Sequence, residues 1–222
     1  TRWYHNRVRA GILTLIFMAF SHFAVPQESQ WQTVEEVLAV VGNTPILFSD
    51  ITLAEAVRLV DQEPDEPIES YRSRLLDARI RLEVEFREIE EGGLLYRLEL
   101  DTPRVRNLLI ARGDGEETLG LSLQQNGLIW PDLDELALRL SAVEAFVEQR
   151  LRPRISVSIE EIEVAYQQLL VAEIAASDEP VPPLATVREH LHQIVVERKL
   201  NEEIERWLDR ARDRHEVMRF SR

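Results

Sequence analysis

Two short β-prone runs near residue 40 give way to apolar residues that repeat at helical spacing over most of the chain. The runs are Val37–Val41 and Ile46–Phe48, and the turn-forming stretch 42–45 (GNTP) separates them. This pattern predicts a β-hairpin. Ser49 and Asp50 follow directly and are favourable helix N-caps, so we expect a helix to begin there.

Apolar residues three and four positions apart predict a series of helices after the hairpin. Glycine, proline and capping residues set their ends, because these residues stop a helix or satisfy its first free amide groups. The first predicted helix ends before Pro64. The helices that follow are predicted from Ile68 to Gly92, from Pro103 to Arg112, from Glu116 to Asn126, from Pro131 to about Leu151, and from a Ser158–Glu161 capping box to about Ala176.

The last predicted helix carries two differently directed apolar faces. The first face consists of Val187, Leu191, Ile194 and Val195. The second, rotated around the axis, consists of Leu200, Ile204, Trp207, Leu208 and Ala211. Such a helix bridges two packing environments. The run Glu216–Phe220 after it can return as a strand to the sheet of the hairpin, which predicts a mainly α fold with a small sheet joined by the C-terminal strand.

The first two dozen residues have the pattern of a secretory signal peptide. Arg2, Arg7 and Arg9 precede the apolar run Ala10–Phe20, which is too short for a typical membrane-spanning helix. We expect a signal peptide over residues 1–21, or to residue 24 with the alternative cleavage site. The protein is therefore expected to be exported, without a stable membrane anchor.

Composition narrows the range of functions. The 222 residues include 30% charged and 45% hydrophobic residues, carry a formal net charge of −14 and contain no cysteine. Arginine alternates with glutamate, as on a solvated helix surface, and no basic face for a phosphate backbone is evident, which disfavours a nucleic acid partner. The absence of cysteine excludes disulfides and thiol catalysis.

Motifs for catalysis are missing from the sequence. No nucleophile elbow, zinc-protease motif or glycine-rich phosphate loop occurs, and His190 and His192 are two positions apart and face different directions on a helix. We therefore predict no catalytic, cofactor-binding or metal-binding residues, and no enzyme activity.

An apolar cluster at a helix entrance is the candidate peptide-binding site. It consists of Leu128, Ile129, Trp130 and Leu133, with Pro131 at the helix start. Large aromatic residues at such a place either anchor the core or line a groove for a peptide, and both interpretations stay open.

Three segments resemble the chaperone core of SurA-type periplasmic chaperones and their parvulin-containing relatives. They are VLAVVGNTPILFSDI, RLRPRISVSIEEIEVAYQQL and LATVREHLHQIVVERKLNEEIERWLDRARDRHEV. The resemblance covers residues 34–220 and implies one core, built from the N-terminal helices and the C-terminal helix. In that family, parvulin-type prolyl isomerase domains are inserted before the last helix, whereas this chain has only the proline-rich linker 177–183 nearby, with no room for a domain.

The resemblance implies an ATP-independent holding chaperone that binds unfolded segments of outer-membrane proteins and lacks prolyl isomerase activity. An envelope adaptor or structural subunit, which would dock one folded partner with the same core, is the alternative. A bridging helix on a flexible linker can also pack on a second copy, which would give a homodimer by exchange of the last helix.

Overall fold

The computed structural model describes residues 35–171 and 182–220, except for the side chain of Val171, and the structural statements below concern these residues. Within them the fold is mainly α-helical, with seven α-helices and one three-stranded antiparallel sheet. The predicted fold class is thereby confirmed. The elements in chain order are β1 (Val37–Val41), β2 (Thr44–Leu47), α1 (Phe48–Ala56), α2 (Ile68–Glu91), α3 (Thr102–Arg112), α4 (Glu116–Gln125), α5 (Trp130–Phe146), α6 (Ile159–Tyr166), α7 (Leu184–Arg212) and β3 (Val217–Arg219).

Short irregular turns extend several of these helices. Single 3₁₀ turns lie at Leu95–Arg97 and Arg152–Arg154, while π-type turns prolong α5 over Val147–Leu151 and α6 over Gln167–Val171. The predicted end of α5 near Leu151 therefore corresponds to the end of its π turn, and α6 is described as far as residue 171.

The sheet joins residues from the two ends of the described chain. Its strand order is β2-β1-β3, with both neighbours antiparallel to β1. Val40 pairs with Met218, and Val41 pairs with Thr44 across a turn in which Gly42 has a φ of 57°, a conformation that glycine adopts without steric cost. The predicted hairpin and the predicted return of the C-terminal strand are both confirmed.

The start of α1 differs in detail from the prediction. Helix α1 begins at Phe48, so that Ser49 and Asp50 lie in its first turn instead of preceding it. The Asp50 carboxylate accepts a hydrogen bond of 2.8 Å from the backbone N–H of Leu47. Asp50 is the third residue of the helix, and its carboxylate satisfies the amide of the residue that precedes the helix. The sequence alone does not distinguish this role from that of an N-cap.

The capping box at α6 is confirmed. The Ser158 hydroxyl accepts a hydrogen bond from the Glu161 N–H, and the Glu161 carboxylate accepts one from the Ser158 N–H at 2.8 Å. Two amides without partners in the helix are satisfied reciprocally, which defines where the helix starts.

Helix α2 is the centre of the fold, since it contacts α1, α5, α7 and β1. One core cluster packs the sheet against its first half, through Ala39, Ile46 and Leu75. A second cluster joins α3, α4 and α5 around the fully buried Leu133. The long apolar stripe predicted for α2 is therefore divided between several partners.

Helix α7 bridges two packing environments, as predicted from its two apolar faces. Leu191 and Val195 pack on Ala165 of α6 in a small separate cluster. Further along, the Trp207 ring lies 4.6 Å from the Phe146 ring, measured between centroids, in the cluster at the end of α5. The first half of α7 and α6 thus form a two-helix arm, while the second half belongs to the main core.

Several expectations from the sequence concern residues that the structure does not describe. The signal peptide over residues 1–21, or to 24, lies outside the described residues, as does most of the linker 177–183. Within residues 35–171 and 182–220, no helix combines the length and apolar character that crossing a membrane requires.

Candidate functional site

An open cleft with mostly aliphatic walls lies between α2, α3 and α5, and we call it the apolar cleft. Its volume is about 480 Å³, within the range of ligand-binding pockets. The lining residues are Leu59, Ala78, Arg81, Leu82, Glu85, Val105, Leu108, Leu109, Arg112, Leu140, Val143 and Glu144.

The face that α3 turns toward this cleft follows helical spacing. Val105, Leu108, Leu109 and Arg112 occupy positions i, i+3, i+4 and i+7, which lie on one side of a helix. Val105 and Leu109 are buried, whereas Leu108 is 50% exposed at the rim. An apolar side chain placed against Leu108 would remove aliphatic surface from water, so the cleft can hold apolar groups without any covalent chemistry.

A charged network closes one side of the apolar cleft. Arg81 donates to the Glu85 carboxylate at 2.9 Å and pairs with Glu205 of α7, also at 2.9 Å. Burial raises the pKa of the Glu85 carboxyl above its ordinary value, although Arg81 acts in the opposite direction. Desolvation therefore outweighs the attraction of Arg81, and an ionised Glu85 costs the fold some stability.

Replacing Glu85 by glutamine is expected to stabilise the protein at neutral pH by on the order of 1 kcal/mol. Because the folded state retains the Glu85 proton to a higher pH than the unfolded chain does, the contribution of this carboxyl to stability falls as the pH rises through its folded pKa. The gain in Glu85→Gln should therefore grow from pH 4 to pH 7.5 in urea unfolding.

Glu205→Gln is the matched control, since it removes the other carboxylate bound to Arg81 and keeps Glu85. It should retain most of the pH dependence that Glu85 causes, because burial, the largest cause of the raised pKa of Glu85, is unchanged. A Glu85→Gln variant whose stability difference from the parent protein shrinks as the pH rises would contradict this account of Glu85.

A second cleft, of about 460 Å³, lies between the β2–α1 corner and α5, and we call it the polar cleft. It is lined by Glu35, Thr44, Pro45, Ile46, Leu47, Ser49, Asp50, Leu53, Arg79, Glu83, Gly127, Leu128, Asp132, Glu135, Leu136 and Arg139. The carboxylates that start α1 and α5 both lie in its wall. Asp132 accepts a 2.8 Å hydrogen bond from the Ile129 N–H, as Asp50 does from Leu47.

Two ion pairs cross the wall of the polar cleft. Arg79 donates to Asp50 at 2.9 Å, which ties α2 to α1, and Arg139 donates to Glu83 at 3.0 Å, which ties α2 to α5. Arg139 also pairs with Glu135, at 2.8 Å. Within the described part of the chain, Nε and Nη1 of Arg79 are buried and have no hydrogen-bond partner.

The four residues of the predicted peptide-binding cluster have different environments. Leu133 is fully buried in the core of α3, α4 and α5, and Leu128 is buried beside it and reaches the wall of the polar cleft. Ile129 is exposed. Trp130 is half-buried, with the Arg106 guanidinium 5.1 Å from its ring. A peptide could reach Ile129 and part of Trp130 in this conformation, and the binding role of the cluster stays a prediction.

The apolar cleft was not predicted as a site from the sequence. The helix over Pro103–Arg112 was predicted, but its apolar face at Val105, Leu108 and Leu109 was not, although the spacing alone could have shown it. The paired charges of α2 were missed for another reason. Alternating arginine and glutamate normally marks a solvated face, whereas Arg79, Glu83 and Glu85 are buried.

No protein-family model matches the chain, and a search of the curated proteins found no match. Within the described residues the fold is mainly α-helical, and residues of both α2 and α5 line the apolar cleft as well as the polar cleft. Among the described residues, no group of three or more histidine or acidic side chains is placed to hold a metal ion.

Proposed function

We propose that the protein is an ATP-independent periplasmic chaperone, which holds unfolded polypeptide segments and has no prolyl isomerase activity. The apolar cleft is the observation that carries this proposal. It is open to solvent, its floor is aliphatic, and Leu108 lies half-exposed at its rim. Apolar surface in an open cleft is typical of a binding surface. An unfolded segment that covers it buries apolar side chains, which favours binding.

The lining of the cleft favours aliphatic and aromatic client side chains over one fixed sequence. Leu82, Leu109 and Val143 offer no hydrogen-bonding groups from their side chains, so contact with them depends on shape and area. The charged rim residues Arg112 and Glu144 have opposite signs and select neither acidic nor basic segments. Weak selectivity of this kind suits a holding chaperone.

The connection between α6 and α7 supports the absence of an isomerase domain. Helices α6 and α7 pack directly on each other, and the Tyr166 hydroxyl donates to the Pro182 carbonyl oxygen at 2.8 Å. Residues 172–181, between the described parts, are far fewer than the residues of a small domain. Resemblance to SurA-type chaperones and the signal-like residues 1–21 support the periplasmic location.

Leu108→Gln is expected to weaken the holding activity about fivefold, since it removes an aliphatic contact worth roughly 1 kcal/mol from a half-exposed position. Glutamine is a good helix former, so the folded state should be retained. The measurement is the concentration of purified protein that halves light scattering from an aggregating, unfolded outer-membrane protein.

Leu121→Gln provides the matched control. Leu121 lies on α4 outside the apolar cleft and is 54% exposed, nearly the same as Leu108 at 50%. The control should hold clients as well as the unmodified protein does. If the unmodified protein leaves the scattering unchanged at a near-stoichiometric ratio, the chaperone proposal fails. Indifference to unfolded clients, combined with capture of one folded protein, would favour the adaptor function instead.

A further inference from the structure

The polar cleft has an excess of acidic groups around one deeply buried arginine. Its wall contains the carboxylates of Glu35, Asp50, Glu83, Asp132 and Glu135, against the guanidinium groups of Arg79 and Arg139. Even with the ion pairs Arg79–Asp50, Arg139–Glu83 and Arg139–Glu135 formed, the carboxylates outnumber the guanidinium groups. The cleft therefore attracts cations and repels free anions.

Arg79 points to a further requirement of any ligand. The residue is 6% exposed and lines the cleft, and only Nη2 is engaged, in the ion pair with Asp50. Among the residues that the structure describes, Nε and Nη1 of Arg79 lack an acceptor. Buried donors without partners are costly, so the site favours a ligand that brings an acceptor oxygen.

A ligand that satisfies both requirements carries a positive charge and a neutral acceptor close together. A basic residue within a polypeptide has this combination, because its side chain is cationic and the backbone next to it offers carbonyl oxygens. A free metal ion or a polyamine supplies the charge but no acceptor. A phosphate or a carboxylate supplies the acceptor but adds negative charge to a cleft that already has an excess.

We infer that the polar cleft binds a lysine or arginine side chain of a polypeptide client, with the cation between Glu135 and Glu35 and a client backbone carbonyl accepting from Arg79. This inference rests on the proposed function in one respect, namely that the ligand is an unfolded polypeptide. It adds selectivity for a basic residue, which the apolar cleft does not provide.

The test uses two fluorescein-labelled peptides with the same apolar segment. One carries two arginines at one end, and the other carries two citrullines, which have nearly the same shape and no charge. Fluorescence anisotropy at low salt should show the arginine peptide binding about tenfold more tightly, because a charge-assisted hydrogen bond is stronger than a neutral one. The preference should decrease as the salt concentration rises.

Glu135→Gln is the principal variant, because it removes a carboxylate from the cleft while Arg139 keeps its ion pair with Glu83. The preference for arginine over citrulline should fall to about threefold or less. Glu202→Gln is the control. The Glu202 side chain lies on α7 outside the polar cleft and is 56% exposed, close to the 63% of the Glu135 side chain. It should retain the full preference.

Arg79→Lys tests the backbone contact separately. Lysine keeps a positive charge for Asp50 but lacks the Nε and Nη1 donors. Both peptides should therefore bind more weakly by the same factor. Thermal unfolding checks that the variant folds. Equal binding of the two peptides to the unmodified protein would overturn the inference and leave the proposed function standing. A preference for arginine over citrulline that stays unchanged in Glu135→Gln would also overturn the inference and leave the proposed function standing. Failure of both peptides to bind would overturn the inference and count against the proposed function as well.

Discussion

Replacement of Trp207 by alanine is expected to lower the free energy of unfolding by about 3–5 kcal/mol. Trp207 is buried on the second face of α7 and packs on Phe146 at the end of α5, with the ring centroids 4.6 Å apart. Alanine would leave a cavity where these two helices meet, and neither helix has another aromatic residue in that cluster to fill it.

Urea unfolding monitored by circular dichroism gives the measurement, and Trp130→Ala serves as the control. Trp130 is only half-buried at the edge of its cluster, so its truncation should cost clearly less than that of Trp207. Equal losses in the two variants would show that α7 is not held to α5 mainly through Trp207.

Arg139→Met is expected to destabilise the protein by a similar amount, about 3–5 kcal/mol, for an electrostatic reason. Glu83 is 4% exposed in its side chain and depends on Arg139 for its ion pair at 3.0 Å. Methionine preserves much of the aliphatic stem but removes the guanidinium, whose Cζ lies 5.1 Å from the centroid of the Phe86 ring. It therefore leaves the Glu83 carboxylate buried without a cation. Removing one partner of a buried pair costs far more than removing both.

The double variant Arg139→Met/Glu83→Gln should recover much of the loss, because glutamine carries no charge to leave uncompensated. Arg206→Met is the control for an exposed ion pair, since Arg206 and its partner Glu203 lie on the surface of α7 and should contribute less than about 1 kcal/mol. A double variant that is no more stable than Arg139→Met alone would argue against an uncompensated Glu83 charge as the cause.

The helices and the β1–β2 hairpin were predictable because local patterns determine them. The stripe that starts at Ile68, the Ser158–Glu161 capping box and the two faces of the last helix each reflect side chains that must be buried or amides that must be satisfied nearby. The residues that form each pattern lie within a few positions of one another along the chain, so a single sequence contains the information.

The clefts and buried ion pairs depend on contacts between distant residues, which spacing does not reveal. Arg79 finds Asp50, and Glu83 finds Arg139, only after α2 has packed on α1 and α5. For the same reason, the sequence left open whether the cluster around Trp130 anchors the core or lines a groove, whereas tertiary packing buries Leu133 completely. Whether a charged or apolar residue faces solvent is decided by the neighbouring helices.

The pairing of β1 with β3 has a consequence for how the protein matures. Residues 37–41 are synthesised well before residues 217–219, and the sheet is complete only when these two segments pair. Contacts between residues so far apart in sequence raise the contact order and slow the closing step. We expect β1 to expose an unpaired strand edge until residues 217–219 have been synthesised, and a nascent copy can aggregate through such an edge.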